Sequence, residues 1–142
     1  MDDQALEELA ESECWSLLRT VGIGRLATPT ARGGVEIFPV NHVVDQGSLV
    51  FRTAMGTKLT AALDAPEVAF EADNAASNVG DQNDDPWSVV VHGTADLISR
   101  ETELFDTFEL AVHPWHLSNK PYFVRLVPTS VSGRRFRIDH GA

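Results

Sequence analysis

The chain has 142 residues, 43% hydrophobic and 23% charged, which is ordinary globular composition, and its 21 acidic and 11 basic residues leave a net charge of −10. That balance excludes a general nucleic-acid or anionic-membrane binder, because phosphate contacts need cationic surface. A single cysteine, Cys14, excludes an intrachain disulfide and fits a reducing compartment.

The size fits one domain, residues 1–142, or one subunit of a symmetric pair. The acidic start, MDDQALEELAESE, has no apolar signal core. No apolar run approaches the roughly 18 residues a bilayer span needs. A soluble cytoplasmic protein is expected.

Residues 3–20 read as a helix, with Leu6, Leu9, Cys14, Leu17, Leu18 and Val21 at helical spacing and the acids in the first half. Ser12 and Glu13 can start a fresh turn, so two helical pieces are also compatible. Cys14 falls on the apolar stripe and reads as a buried small hydrophobe rather than a reactive thiol. Gly22 and Gly24 end the segment, and a barrel is expected over about residues 22–138.

Gly24 to Thr28 reads as a short strand, Thr30 to Gly34 as a hairpin connection, and Val35 to Val44 as the next strand. Pro39 has no N–H for a ladder, so an edge position or a bulge is expected there. Asp45 to Ser48 is a turn, and Leu49 to Thr53 returns. Three strands at short spacing without a helix between them predict an antiparallel meander.

Phe51 to Leu63, FRTAMGTKLTAAL, is the stretch around which the chain is organised. A strand delivers Arg52 and Thr53 to a loop ending in Gly56, and Thr57 and Lys58 open a helix with Leu59, Ala62 and Leu63 on one face. Two cations, two hydroxyls and the free N–H groups of a helix start are what a phosphate needs. A solvated hairpin end with ordinary surface charges explains the same spacing equally well.

Val68 to Asp73 alternates, residues 74–85 form a polar loop, and Trp87 to Ile98 is the longest strand, with a bulge or bend at Gly93. Ser99 can cap a helix carrying Leu104, Phe105 and Phe108, and His113–Pro114–Trp115–His116 is a loop. Pro121 to Val127 and Thr129 to Ile138 read as two final strands interrupted at Pro128. Six or seven strands with three short helices predict a mainly β fold, a closed or split antiparallel barrel.

In order along the chain, Glu13–Cys14–Trp15, Gly24–Arg25–Leu26–Ala27, Pro39–Val40–Asn41, Phe51–Arg52–Thr53, Gly56–Thr57–Lys58–Leu59, Val68 to Asp73, Trp87–Ser88–Val89 and Gly133–Arg134–Arg135 resemble the pyridoxamine-5′-phosphate-oxidase-like family of flavin-binding split barrels. The nearest-looking branch holds flavin-nucleotide-binding and nitroimidazole-resistance-type proteins. The resemblance implies a six- to seven-stranded antiparallel split barrel and a homodimer with FMN, or alternatively a deazaflavin, in a groove between subunits. It implies that Arg52, Thr53, Thr57 and Lys58 hold the phosphate, that Pro39, Val40 and Asn41 run beside the isoalloxazine, and that Trp87 and Ser88 come from the other subunit. The residues that grip the pyridoxal substrate in the oxidase itself have no match here, so oxidation of vitamin B6 is not implied.

Flavin supplies hydride chemistry itself, which fits the lack of an acid–base constellation in the sequence. An FMN-binding oxidoreductase acting on a small organic molecule is expected. A flavin or deazaflavin carrier or sensor without turnover, or a deazaflavin-dependent reductase, is the alternative. Trp15, Val40, Phe51, Trp87 and Trp115 are the expected subunit-contact residues. His113 and His116 have metal-like spacing but lack a third ligand, and no metal site is expected. His42 reads equally as a neighbour of the cofactor or as a core histidine. No serine lies in a nucleophile elbow, and a strand rather than a helix follows Gly22-x-Gly24, which excludes a dinucleotide fingerprint.

Overall fold

The structure is a computed structural model that describes residues 6–53, 57–75, 85–98 and 122–137; the side chains of 53 and 57–59 lie outside that description. Seven strands and two helices follow one another as β1 (Leu6–Glu8), α1 (Glu11–Leu18), β2 (Ile23–Pro29), β3 (Val35–Asp45), β4 (Ser48–Thr53), α2 (Thr57–Asp64), β5 (Val68–Asp73), β6 (Trp87–Ile98) and β7 (Tyr122–Phe136). The sheet order is β1-β7-β4-β3-β2-β5-β6, and a further β7–β6 pairing closes it. The fold is therefore a six-stranded antiparallel barrel with β1 as an outer strand, the split barrel the sequence predicts.

The meander is set by turn chemistry. Gln46 and Gly47 both have positive φ, 52° and 72°, in the β3–β4 turn, the conformation a tight hairpin requires. β5 alternates buried and half-buried residues without a break, so Val68, Phe70 and Ala72 fill the barrel while Ala69, Glu71 and Asp73 face outward. Leu18, Leu26, Leu49, Phe51, Phe70, Val89, Val91 and Leu126 make up most of the fully enclosed interior. Gly24 leaves room for it, since a Cβ there would collide with the Phe70 ring.

Two expected elements are corrected. Among the described residues, the helix expected over 3–20 survives only as α1. Residues Leu6–Glu8 instead pair with β7, Leu6 opposite Phe136 and Glu8 opposite Arg134. The unpaired edge of β7 offers them a ladder, and Glu7 there reaches Arg137 at 2.7 Å and Arg135 at 3.8 Å. That edge and those cations decide against continuing the helix.

The second correction concerns Pro128, which does not split the last strand. β7 runs through it, because the ladder with β6 shifts register between His92 and Gly93, where no N–H from residue 128 is needed. Gly93 is required at that crossing, since a Cβ would run into the Val127 carbonyl.

Pro39 sits where an edge was expected. β3 pairs with β2 along 35–41 but with β4 only from His42 on, so Pro39 has one partner strand, opposite Arg25. The expected helix after Ser99 and the His113–His116 loop lie outside the described residues. No helix among those described is long and apolar enough to cross a membrane.

Candidate functional site

β4 runs between β3 and β7, and its even-numbered residues face outward. Val50 and Phe123 form a second buried cluster there with Val43 and Ile98, separate from the barrel interior. Arg52 stands at the end of this cluster. It pairs across the ladder with Phe123, and its guanidinium carbon lies 5.8 Å from the Phe123 ring centroid, a cation–π distance. Its Nε is buried and has no hydrogen-bond partner. A buried charged donor without an acceptor costs free energy, so this N–H is fitted for an oxygen supplied from outside the chain.

The neighbouring cation differs. Arg125, also on β7, is bound by Asp45 at 3.0 Å and donates to Ser48 Oγ, locking the β3–β4 turn onto β7. Arg135 and Arg137 are likewise engaged by Glu13 and Glu7, at 2.9 and 2.7 Å. Among the described residues, the buried cationic N–H left open is thus that of Arg52.

The other expected site residues are partly gathered around it. Thr53 ends β4, and Thr57 and Lys58 open α2, so the backbone brings all three to the same end of the barrel; their side chains lie outside the described residues. The β3–β4 ladder ends at the His42–Phe51 pair, and Asn41 and Arg52 are the next residues of the two strands beyond it. Asn41 and Pro39 face outward, while Val40 points into the core at 6% exposure, leaving its backbone as what it can offer a ligand.

Trp87 and Ser88 are not part of this cluster within one chain. Trp87 packs in the barrel core at 7% exposure, and Ser88 faces outward between Asp73 and Arg134. Val40, Phe51 and Trp87, expected on a subunit surface, are therefore core residues, because closing the barrel consumes their apolar area. The exposed large apolar residues are others, led by Val35 and Ile37 on β3, with Leu97 on β6 and Ile23 on β2 after them.

Sequence reasoning missed three features. Phe123 supports Arg52, and nothing in its local pattern marks it. Asn74 accepts the Trp87 N–H at 3.0 Å and donates to the Asp85 carbonyl at 3.1 Å, tying the end of β5 to the start of β6. Its place at the head of a polar loop was the available signal. Third, Arg25 of β2 lies 3.2 Å from Glu71 and 3.4 Å from Asp73 of β5 on the outer sheet face, beside a groove of about 210 Å³ walled by Ala27, Ile37, Ala69 and Val90. Among the described residues no group of histidines, cysteines and carboxylates is arranged to hold a metal.

His42 resolves as a core residue. Its Nε2 lies 3.1 Å from the Leu18 carbonyl, which can only accept, so Nε2 carries the proton. The bare Nδ1 has no partner, and the ring meets Phe70 edge-on at 5.0 Å. Burial pushes this imidazole below the usual histidine range, against an upward pull from the Leu18 carbonyl. An unfolded chain takes up this proton near about pH 6.5 and the folded chain only below that, so acid favours unfolding in between. The melting temperature should fall as pH drops from about 7.5 to about 5. His42→Gln, which can still donate to Leu18, should flatten that fall; an unchanged slope would assign it to other groups.

Residues 10–135 match the family model for pyridoxamine 5′-phosphate oxidase. The chain belongs to the pyridoxamine 5′-phosphate oxidase family. A solved Mycobacterium smegmatis structure described as an FAD binding protein is 39% identical, with a TM-score of 0.74 over 93% of this chain and 99% of that one. A Corynebacterium glutamicum structure classed with the pyridoxamine 5′-phosphate oxidases is 31% identical, with a TM-score of 0.76 over 99% of each chain. An uncharacterised Mycobacterium tuberculosis protein is 31% identical over 137 residues, 93% of this chain and 86% of its own.

Proposed function

We propose that this chain is a flavin-binding oxidoreductase that holds FMN at the β4–α2 corner of a homodimer and exchanges electrons with a small organic substrate. The observation that carries the reading is Arg52: a guanidinium seated on Phe123 with a buried, unanswered N–H, on the strand that leads in sequence to a helix opening with Thr57 and Lys58. Those groups fit a phosphate in charge and donor type. Pro39, Val40 and Asn41, on the neighbouring strand β3, would border an isoalloxazine with backbone groups and one amide. When bound, the flavin supplies the hydride chemistry, and the chain's part is to bind, orient and shield it. Ser88, facing outward on β6, is the contribution a second subunit would bring, and the exposed Ile23, Val35 and Ile37 favour pairing of two chains.

A second reading, FAD in place of FMN, is favoured by the description of the Mycobacterium smegmatis relative. A carrier or sensor without turnover, or a deazaflavin-dependent reductase, would use the same corner. Purified protein should be yellow, with a chromophore whose released mass separates FMN, FAD and deazaflavin. NAD(P)H oxidation with candidate acceptors then separates enzyme from carrier. A colourless protein that binds none of the three when they are added would overturn the flavin reading.

A further inference from the structure

A groove of about 630 Å³ lies between the β2–β3 hairpin and α2, a volume in the range of small-molecule sites. Pro29 and Ala31 wall it on the hairpin side, and Ala61, Ala65 and Pro66 on the side of α2. Three polar residues, Thr30, Thr60 and Asp64, complete the lining. Both walls are fixed. The Thr30 N–H donates to the Gly34 carbonyl at 2.8 Å, and the Gly34 N–H to Thr30 Oγ1 at 3.0 Å, which closes the hairpin tightly. On the other side the fully buried Ala62 seats α2 against the barrel. A groove held open in this way requires little ordering when a ligand enters.

We propose that the flavin this chain holds is the dinucleotide, FAD, and that this groove seats its adenosine half while the riboflavin-phosphate half stays at the β4–α2 corner. This rests on the flavin reading of that corner and adds which flavin is chosen and by which residues. Position is the first reason. Thr60, Ala61 and Asp64 lie three, four and seven residues after Thr57, so they continue along α2 the face that opens at the helix start. Between Thr57 and Asp64 the helix rises about 10 Å, a distance of the order that a pyrophosphate and a ribose bridge.

Charge is the second reason. The corner has Arg52 with its buried, unanswered Nε, and Lys58 stands in the first turn of α2. The groove lining holds no cation, only the Asp64 carboxylate and two threonine hydroxyls. Such a lining disfavours a phosphate and favours a neutral group rich in donors. Adenosine is such a group: the ribose hydroxyls and the exocyclic amine donate, and the flat base lies against alanine and proline surfaces. Alanine at 31, 61 and 65 leaves the space that a larger side chain would fill.

Asp64 is also poorly placed for α2 itself. It is an exposed acid in the last turn, where the helix dipole favours cations, and that turn has no basic residue. Its carboxylate therefore does not serve the helix, and it is available to accept from a ligand. Removing it should leave the fold intact, which makes it the cleaner of two variants. The other, Ala61→Phe, fills the groove from the α2 side.

Titration of FAD and FMN into the chain freed of bound flavin tests the proposal, with a dissociation constant for FAD at least about tenfold below that for FMN expected. Asp64→Ala and Ala61→Phe should each erase most of that preference by weakening FAD alone, with the FMN constant and the melting temperature kept. ADP in excess should displace FAD and leave bound riboflavin in place. Equal constants for FAD and FMN in the wild type, or a preference for FAD that survives both variants, overturn the groove assignment and leave the flavin reading standing. NADH that binds to protein already holding FMN, and is lost in Ala61→Phe, would assign the groove to a free nucleotide and overturn the FAD assignment. A chain that binds neither flavin overturns the flavin reading and the groove assignment together.

Discussion

Arg52→Ala should weaken FMN binding by about tenfold to a hundredfold or more while riboflavin, which lacks the phosphate, loses little. The side chain is held for this task before any ligand arrives. Phe123 supports its guanidinium plane, and its Nε is already out of water without an acceptor. A phosphate oxygen placed there gains a charge-assisted bond without ordering a floppy side chain, and such bonds contribute roughly 1.5–3 kcal/mol each. Lys58→Ala should cost less, because an ammonium acts as a point charge that water and ions replace more easily. Folding should suffer little in Arg52→Ala, since the unsatisfied N–H leaves with the side chain. Titration of both ligands into wild type and variants decides: equal losses for FMN and riboflavin would mean that Arg52 does not read the phosphate. Arg135 and Arg137 would be poor replacements, being engaged by Glu13 and Glu7.

Trp87→Ala should destabilise the fold by about 3–5 kcal/mol, as expected for deleting a buried tryptophan. Its ring packs in the barrel interior, and Asn74 fixes its backbone. Ser88→Ala, one residue away on the outer face, should leave stability within about 0.5 kcal/mol. It should weaken flavin binding if the second subunit presents it to the cofactor. Denaturant unfolding and flavin titration of both variants separate the two roles. A Trp87→Ala protein that melts like wild type but loses flavin would place the indole at the cofactor and contradict its position in the core.

The barrel was legible because its strands announce themselves locally. The alternation of Val68 to Asp73, the Asp45–Ser48 turn and the start of α2 at Thr57 all stand where the residue pattern predicts them. The failures share a cause. Leu6–Glu8 fits either period, and only the distant edge of β7 decides for a strand. Pro128 reads as a break until Gly93, far away in sequence, provides an irregular ladder that needs no N–H from it. At the candidate site, spacing singled out Arg52 and Lys58, but not Phe123 beneath Arg52, because the pairing that brings them together is distant in sequence. The pair Arg25–Glu71 was hidden in the same way, each residue being the ordinary polar member of an alternating strand.

β7 has a consequence for how the protein acquires its shape. One side of it pairs with β6 from Phe123 to Arg135, and the other with β4 and then β1, where Leu6 meets Phe136 across nearly the whole sequence. Until β7 docks, β4 and β6 are open edges on a sheet whose apolar interior is uncovered. The nucleus cannot be completed by neighbours in sequence, so the loop-closure entropy must be met before most of the burial is gained. Folding should accordingly be slow for a chain of this size. On the ribosome, the emerging β2–β6 segment must wait, exposed, for the strand that seals it.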